Sequence, residues 1–299
     1  MLDPWLRGPA AESVEAAATV ARWSELIGLD LARLGTSADA EEIKDTAVTQ
    51  PLIVATALLA HQQLMGALPD GALADAPTAG HSVGELAAAA VAGALDADAA
   101  VELAAVRGRE MAAACAATPT GMSAVLGGRP EQVLERLKEL GLDPANRNGA
   151  GQLVAAGPTE ALERLAAEPP ERARVIALAV AGAFHTRYMA PAEQALRGYA
   201  EKIEFSDPVR PLLSNADGEA VSGAADLRER LVAQVTVAVR WDLCMAALRE
   251  RGVTAVIELA PAGTLAGLVK RELKGTKTLP LKTPDDLTSA AELVQGGVA

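Results

Sequence analysis

The chain has 299 residues, of which 50% are apolar and 2% aromatic, and its formal net charge at pH 7 is −12. Binding to nucleic acid requires clustered lysine and arginine, so this acidic balance argues against a nucleic-acid partner. Its apolar runs are much shorter than the roughly 20 residues of a membrane-spanning helix, and the N-terminus lacks a signal-peptide pattern, so we expect a cytoplasmic protein with no membrane partner.

The N-terminal third is predicted to be mainly helical. Thr49 resembles a helix cap and Pro51 stands where a first-turn proline would, so a helix is expected to begin there. In chain order we predict helices over residues 11–27 and 49–68, a strand over 77–80, a helix from about 85, and a helix to about 117 that Asp96 or Asp98 caps.

The middle of the chain alternates more rapidly between strands and helices. Residues 130–140 have an amphipathic helical pattern, and Gly141 follows where a left-handed glycine is typical. The predicted elements are strands over 122–126, 145–148, 152–156 and 174–180, with helices over 130–140 and 159–168. This βαββαβ order predicts a small ferredoxin-like domain over residues 117–184.

Strands and helices continue to alternate after residue 184. The pattern favours an α/β fold in which helices cover a mostly parallel sheet. Residues 1–116 and 185–299 are therefore predicted to form one main domain that the small domain interrupts. Its C-terminal elements are predicted as helices over 187–203, 226–233, 241–251 and 264–273, with strands over 211–214 and 254–259.

Ser82 lies in the stretch "GHSVG", between a predicted strand and a predicted helix. Such a serine is either a nucleophile on a tight turn or a small residue in a glycine-rich loop. A nucleophilic serine needs a base. Of the three histidines, we expect His61 on the solvated surface and His81 to shape the turn. His185, expected at the end of the strand over 174–180, is then either a structural histidine or the base.

No acidic third member of a triad is evident. The acids that precede His185, such as Asp143, Glu160 and Glu168, fall in the predicted small domain. A hydrolase triad is therefore incomplete on this interpretation.

Arg107 lies on the helix after the serine, in "AAVRGREMAAACAA". It shares a helix face with Met111, whereas Arg109 points away and is expected to be solvated. A buried arginine needs an anionic partner, and its planar guanidinium can bind a carboxylate through two hydrogen bonds. Two interpretations stay open: a carboxylate-binding residue, or a surface arginine whose stem covers apolar neighbours.

Eight stretches carry a resemblance to a known family, in that family's order and over nearly the whole chain. They are "TQPLIVATALLA", "GHSVGE", "RGREM", "NRNGAGQLVAAGP", "GAFHTRYMAPA", "LLSNADG", "LVAQVTVAVRW" and "VIELAPAGTLAGLVKREL". The chain thereby resembles the malonyl-CoA:acyl carrier protein transacylases of fatty-acid synthesis and the related acyltransferase domains of polyketide synthases. The resemblance implies an α/β-hydrolase-like domain with a ferredoxin-like insert, and transfer of a malonyl group through a malonyl-serine intermediate.

The resemblance assigns roles to five residues at the site. Ser82 would be the nucleophile and His185 the general base. Arg107 would bind the malonyl carboxylate. The backbone carbonyl of Gln234 would orient the base in place of an acid, which would account for the incomplete triad. The backbone N–H of Val83 would be one oxyanion donor.

The resemblance also assigns residues around the acyl group and the partners of the reaction. Phe184 would crowd the α-carbon and favour malonyl over methylmalonyl, and Met111 would line the same pocket. Asn146 and Asn148 match family asparagines near the site. The enzyme would act on malonyl-CoA and on the phosphopantetheine thiol of acyl carrier protein, would need no cofactor of its own, and is expected to be a monomer.

The carrier protein of such a reaction is acidic, so a local basic patch must receive it on this acidic chain. Candidate residues, each of which could equally be an ordinary solvated charge, are Arg172, Arg174, Arg187, Lys270, Arg271 and Lys274. The two cysteines, Cys115 and Cys244, lack the spacing of metal ligands, so we expect buried thiols and no metal site.

The sequence departs from the family pattern at its N-terminus. Family members begin with a β-strand and a Gly-Gln-Gly loop, whose glutamine N–H is the second oxyanion donor, whereas this chain opens at "MLDPWLRGPAAESV". Loss of one such donor typically lowers a rate about 10²–10³-fold. We expect a start upstream of Met1, the alternative being an impaired protein.

Three other functions stay open on the sequence. They are a discrete acyltransferase of a polyketide pathway, a serine hydrolase or thioesterase that would have no use for Arg107, and a non-catalytic carrier-binding protein.

Overall fold

Helices make up most of the computed structural model, which describes residues 1–7 and 10–296 in a mixed α/β architecture. The helices are α1 (Asp3–Leu6), α2 (Ala10–Ile27), α3 (Leu31–Thr36), α4 (Ala40–Lys44), α5 (Thr46–Gly66), α6 (Gly84–Val91), α7 (Ala97–Ala117), α8 (Pro130–Glu139), α9 (Thr159–Ala167), α10 (Ala190–Ala200), α11 (Ala224–Ala233), α12 (Trp241–Glu250), α13 (Thr264–Glu272) and α14 (Leu287–Gln295). Short 3-10 turns over Arg187–Met189 and Pro284–Asp286 precede α10 and α14. The strands are β1 (Thr78–Ala79), β2 (Thr120–Gly127), β3 (Asp143–Gly149), β4 (Gln152–Pro158), β5 (Ala173–Ala177), β6 (Leu212–Leu213), β7 (Ala255–Glu258) and β8 (Lys277–Pro280).

Four antiparallel strands form the larger sheet, in the order β3–β4–β2–β5. Leu137 of α8 and Leu165 of α9 pack with Val125 of β2 in an apolar core of their own. In a second cluster Met122 of β2 packs with the segment that contains Phe184. Because Phe184 immediately precedes the candidate base, this sheet helps to position the site.

The other strands form two parallel pairs, β1 with β6 and β7 with β8. Within the described part of the chain no strand pairing joins one pair to the other. The parallel direction agrees with the predicted fold class, whereas the expected continuous sheet is present as two pairs. The turn that contains Ser82 follows β1 directly.

Helices α5 and α7 pack closely within the largest apolar core. A Cβ on Gly108 of α7 would lie 2.6 Å from the carbonyl oxygen of Thr46 in α5. Only glycine permits an approach this close, because any larger residue would clash with backbone. The contact brings Arg107, the neighbour of Gly108, against α5.

Backbone hydrogen bonds attach the larger sheet to the segment after α11. The N–H of Arg147 donates to the carbonyl of Val239 at 2.8 Å, and the N–H of Val239 donates to the carbonyl of Ala145 at 2.9 Å. The same segment begins with Gln234 at the C-terminal end of α11. Strand β3 is therefore fixed to the segment that follows the residue expected to orient the base.

Most predicted elements are present with small shifts at their ends, and Asp96 is the cap of α7. The predicted start of α5 is wrong. The helix begins at Thr46, where the side chain of Asp45 accepts the N–H of Ala47 at 2.9 Å. The Thr49 hydroxyl donates instead to the carbonyl of Ile43, and Pro51 stands inside the helix. Asp45 therefore caps the helix, one turn before Thr49, the cap that the sequence predicted.

The strand predicted over 174–180 is also shorter than expected. Strand β5 ends at Ala177, its last partner on β2 being Ser123, and residues 177–181 are exposed. His185 is therefore not at the end of a strand but in the turn before α10. The elements α1, α3, α4, α14 and β8 have no counterpart in the prediction.

Candidate active site

The turn between β1 and α6 presents Ser82 in a left-handed conformation, with φ of 53°. Its backbone N–H donates to Oδ1 of Asn215 at 2.8 Å, and Nδ2 of Asn215 donates to the carbonyl of Gly80 at 2.7 Å. A Cβ on Gly80 would lie 2.0 Å from the carbonyl oxygen of Gly84. The turn therefore requires glycine at 80 and is held from outside by Asn215.

The side chains of Ser82 and His185 are in hydrogen-bond contact, with Oγ 2.7 Å from Nε2. The other ring nitrogen, Nδ1, lies 2.8 Å from the backbone carbonyl of Gln234. A carbonyl oxygen only accepts, so Nδ1 carries the proton and Nε2 is free to accept from the serine hydroxyl. The carbonyl of Gln234 thus stands where a triad would have its acid.

His185 is neutral in this environment. It is 5% exposed, and burial, together with the nearby charge of Arg107, lowers the pKa of His185 to about 3. A neutral imidazole with Nε2 aimed at a hydroxyl can accept its proton, which is the arrangement of a general base.

Arg107 is buried beside these two residues, with 3% of its surface exposed. Its Nη2 donates to Oγ of Ser82 at 3.2 Å and to Oε1 of Gln234 at 2.8 Å, and its Nη1 donates to Oε1 of Gln50 at 2.5 Å. Its Nε is buried and has no hydrogen-bond partner among the described residues. Burial lowers the pKa of Arg107 to about 10, a shift that the charge of Glu85 opposes.

The interpretation of Arg107 as a surface residue is wrong, because the guanidinium lies inside the protein next to the serine. Arg109, two residues on, is exposed as expected and pairs with Glu110. Met111 is buried, and its sulfur lies 3.5 Å from Nε2 of Gln50.

The other predicted site residues lie at different distances from the serine. Nε2 of His81 contacts Oδ1 of Asn148 at 2.9 Å, and the His81 ring meets Trp241 edge to face. Asn148 therefore reaches the nucleophile turn through His81. Asn146 is buried in the same strand, but in the described structure its side chain makes no hydrogen bond to a residue of the site. Phe184 is half-buried beside His185.

The backbone N–H of Val83 is available to a ligand. Within the residues the structure describes, it donates to no backbone or side-chain acceptor, although the adjacent N–H groups of Ser82 and Gly84 are both engaged. An N–H next to a nucleophile, pointing at no protein acceptor, is suited to a developing oxyanion.

Three polar residues of the site were missed in the sequence: Gln50, Glu85 and Asn215. All three are buried. Gln50 follows the start of the apolar run "TQPLIVATALLA", and Glu85 is the single charged residue in "GELAAAAV". A polar side chain inside an apolar helix is the signal that could have identified the first two.

His61 differs from its prediction. It is half-buried rather than solvated, and burial, with the charge of Arg210, lowers the pKa of His61 to about 4. Both cysteines are buried free thiols, as expected. Among residues 1–7 and 10–296 there is no helix with the length and apolar content needed to cross a membrane, and no metal-binding group of three or more His, Cys, Asp or Glu side chains.

Comparison with known proteins gives a consistent set of relatives. A family model described as the acyl transferase domain matches residues 9–290. The malonyl CoA-acyl carrier protein transacylase of Mycolicibacterium smegmatis is 56% identical over 297 residues, which are 98% of this chain and 100% of that protein. The protein of the same description from Mycobacterium tuberculosis H37Rv is 57% identical over 98% of this chain and 95% of its own.

Solved structures agree with these sequences. The crystal structure of MCAT from Mycobacterium tuberculosis superposes with a TM-score of 0.91 at 57% identity, covering 97% of this chain and 94% of that one. A malonyl-transacylase in complex with its type II PKS acyl-carrier protein superposes with a TM-score of 0.88 at 30% identity, covering 98% of this chain and 94% of that one.

Proposed function

The chain belongs to the malonyl CoA-acyl carrier protein transacylase family, and we propose that Ser82, His185 and Arg107 perform its reaction. The activity is transfer of a malonyl group from malonyl-CoA to acyl carrier protein. The observation that carries the residue assignment is the convergence of three side chains: Oγ of Ser82 lies 2.7 Å from the His185 ring and 3.2 Å from the Arg107 guanidinium.

In the first half-reaction Nε2 of His185 accepts the hydroxyl proton of Ser82 while Oγ attacks the thioester carbonyl of malonyl-CoA. The carbonyl oxygen becomes an oxyanion and accepts a hydrogen bond from the N–H of Val83. The C–S bond then breaks, the CoA thiolate takes the proton from His185, and a malonyl ester remains on Ser82.

The second half-reaction reverses these steps with a different thiol. The phosphopantetheine thiol of the carrier protein gives its proton to Nε2 of His185 and attacks the ester carbonyl. The C–O bond breaks, Oγ of Ser82 recovers the proton, and the malonyl group leaves as a thioester of the carrier protein. Each proton released in one step is consumed in the next, so the proposed steps balance without an external acid or base.

Arg107 binds the malonyl carboxylate in this proposal. Its unpartnered Nε, in a site shielded from water, favours a ligand that accepts hydrogen bonds, and a guanidinium pairs with a carboxylate through two parallel bonds. The bound carboxylate also offsets the positive charge of Arg107. The pKa of His185, which that charge lowers, then rises, so malonyl binding makes the base stronger.

We assign the finer architecture in the same way. The strand order β3–β4–β2–β5, with α8 and α9 on one face, supports a ferredoxin-like insert over residues 117–184. Residues 1–116 and 185–299 would then form an α/β-hydrolase-like domain. The parallel pairing of β1 with β6 at the nucleophile turn supports that assignment.

Among the basic candidates for carrier docking, we favour the group at the end of α13: Lys270, Arg271 and Lys274. All three are exposed, and in the described part of the chain no carboxylate lies within 4.0 Å of their charges. Arg172 and Arg187 are less available, because each pairs with an acid. Arg174 is also exposed and in no ion pair among the described residues, but it has no second unpaired candidate beside it in the chain. Exposed positive charges without a partner in this chain can attract an acidic carrier protein, which must bind and then dissociate in each cycle.

The test measures transfer of labelled malonyl groups from malonyl-CoA to holo acyl carrier protein. Ser82→Ala is expected to abolish transfer, and His185→Ala to lower it about 10²–10⁴-fold, the range for losing a general base. Ser206→Ala, at an exposed serine, is the matched control and is expected to behave as wild type. Transfer by Ser82→Ala at the wild-type rate would contradict the proposal.

A further inference from the structure

Glu85 is a buried acid beside the nucleophile that the two half-reactions leave unused. It lies in the first turn of α6, and 5% of its surface is exposed. Its Oε1 accepts the backbone N–H of Asn215 at 2.5 Å, and its Oε2 accepts a hydrogen bond from Nε2 of Gln234. A buried carboxylate is costly unless its oxygens are paired in this way.

Both partners of Glu85 hold a member of the catalytic pair. Asn215 accepts the backbone N–H of Ser82 at 2.8 Å. Gln234 accepts Nδ1–H of His185 at 2.8 Å through its backbone carbonyl. Glu85 is therefore a shared partner of the residue that fixes the nucleophile turn and the residue that orients the base.

We propose that Glu85 is a positioning residue for malonyl transfer: it holds the nucleophile turn through Asn215, and the base and guanidinium through Gln234. This rests on the proposed function, in which Ser82 is the nucleophile and His185 the base. Glu85 touches neither the acyl group nor the reacting atoms in this scheme and acts through its two partners.

The carboxylate also determines which way the Gln234 amide faces. A carboxylate only accepts hydrogen bonds, so the NH₂ of Gln234 turns toward Glu85. Its Oε1 then faces Arg107, whose Nη2 donates to it at 2.8 Å. A reversed amide would set NH₂ against the guanidinium, donor against donor. An acceptor at position 85 thus fixes the guanidinium that binds the malonyl carboxylate.

Protonation of Glu85 is expected to disturb both contacts. A protonated carboxyl carries an O–H, which would meet one of the two donors, so the ionised form is the active one. Burial raises the pKa of Glu85 to about 7, against hydrogen bonds from Asn215 and Gln234 and the charge of Arg107. Cys244 also faces Glu85.

Other groups of this cluster keep one charge state near neutral pH. The pKa of Arg107 is lowered to about 10 by burial, and that of the Cys244 thiol is raised to about 12, also by burial. Burial lowers the pKa of His81, and burial with Arg107 lowers that of His185 to about 3. Acetyl-CoA carries no carboxylate to offset the charge of Arg107, so a change in acylation by acetyl-CoA near pH 7 is assigned to Glu85.

The experiment measures single-turnover release of CoA when the full chain is mixed with malonyl-CoA or acetyl-CoA across pH. In the wild-type protein the rate of CoA release is expected to increase as pH rises through about 7. In Glu85→Gln the new side-chain NH₂ faces one of the two donors that the carboxylate accepted. The rate of acylation by malonyl-CoA is therefore expected to fall about 100-fold, the effect of a small misplacement of catalytic groups. The malonyl-to-acetyl rate ratio is expected to fall, and the rise near pH 7 to disappear.

The matched control is Glu258→Gln. Glu258 is another buried glutamate, and it accepts the N–H groups of Gly263, Leu265 and Ala266 at 2.8 Å, at the start of α13. Its loss is expected to lower stability while the folded protein keeps the wild-type rate ratio and pH profile. If Glu85→Gln behaves like this control, the inference is overturned.

Two further results keep the inference separate from folding and from the proposed function. If Glu85→Gln does not fold, the wild-type profile with acetyl-CoA decides: a rise centred near pH 7 supports the inference, and a flat profile from about pH 5.5 to 8.5 overturns it. If Ser82→Ala is inactive while Glu85→Gln matches wild type, the inference fails and the proposed function stands.

Discussion

Oγ of Ser82 lies 2.7 Å from Nε2 of His185, although the two residues are 103 positions apart in the chain. Both have left-handed backbone conformations, with φ of 53° and 59°. Such conformations are uncommon for residues other than glycine and persist where the surroundings hold them. Here Asn215 holds the serine turn, and the carbonyl of Gln234 holds the imidazole. The contact therefore depends on two strained turns that distant segments brace.

The first prediction concerns the basicity of His185. Because the charge of Arg107 lowers the pKa of both His185 and Glu85, Arg107→Leu is expected to raise both pKa values and so to move the acid limb of Ser82 reactivity to higher pH. The measurement is the rate at which a neutral phosphonofluoridate labels Ser82 as a function of pH. Arg109→Leu removes an equal charge from the exposed side of α7 and is expected to leave the limb in place. A limb unmoved by Arg107→Leu would contradict the prediction.

The second prediction separates malonyl from acetyl substrates. Arg107→Ala removes the partner of the malonyl carboxylate and is expected to lower kcat/KM for malonyl-CoA. The expected loss of transition-state stabilisation is about 2–5 kcal/mol, the usual cost of removing one partner of a buried charge pair. Acetyl-CoA lacks the carboxylate, so its acylation of Ser82 is expected to fall much less. Equal losses for both esters would argue that Arg107 only supports the fold.

The third prediction concerns the α-carbon of the acyl group. Phe184 is half-buried next to His185, and Phe184→Ala is expected to raise the methylmalonyl-to-malonyl ratio of kcat/KM, since one methyl group is worth about 1–3 kcal/mol, or 10–200-fold. Competition between the two CoA esters measures the ratio. Phe205→Ala, at a half-buried phenylalanine packed on the main apolar core, is the control, and a ratio that changes as much there would refute the assignment.

The fourth prediction tests the nucleophile turn. A Cβ at position 80 would lie 2.0 Å from the backbone oxygen of Gly84, whereas a Cβ at 84 meets nothing within 4 Å. Gly80→Ala is expected to lower the free energy of unfolding by about 1–3 kcal/mol and to slow Ser82 labelling. Gly84→Ala, at the first residue of α6, is expected to change stability by less than about 1 kcal/mol. Urea unfolding and labelling distinguish the two, and equal behaviour would contradict the geometry.

Local sequence patterns predicted much of this structure. A serine between glycines predicts a tight turn, and apolar spacing predicts amphipathic helices such as α8. An arginine among Ala, Val and Met indicated either a buried ligand-binding residue or a surface residue, and Arg107 is buried. The roles of Gln234 and Val83 came from the family resemblance alone, because a backbone carbonyl or N–H leaves no side-chain signal in a sequence.

The rest depends on contacts between distant segments. Glu85 and Asn215 are 130 residues apart and Arg107 and Gln50 are 57 apart, so no local pattern pairs them. The apolar run after Ala177 was interpreted as a continued strand, yet its pairing with β2 ends at Ser123, followed by a single backbone bond from the N–H of Leu178 to the carbonyl of Met122 at 2.9 Å. His61 was expected in solvent because its neighbours are polar, while the fold half-buries it.

The most direct test is the acyl-enzyme itself. The chain is mixed with malonyl-CoA, quenched, and examined by intact mass and peptide mapping before and after holo acyl carrier protein is added. The account predicts one malonyl ester, located on Ser82, that persists until the carrier is added and then appears on its thiol. An unmodified Ser82, or an ester that is lost to water before the carrier arrives, would contradict it.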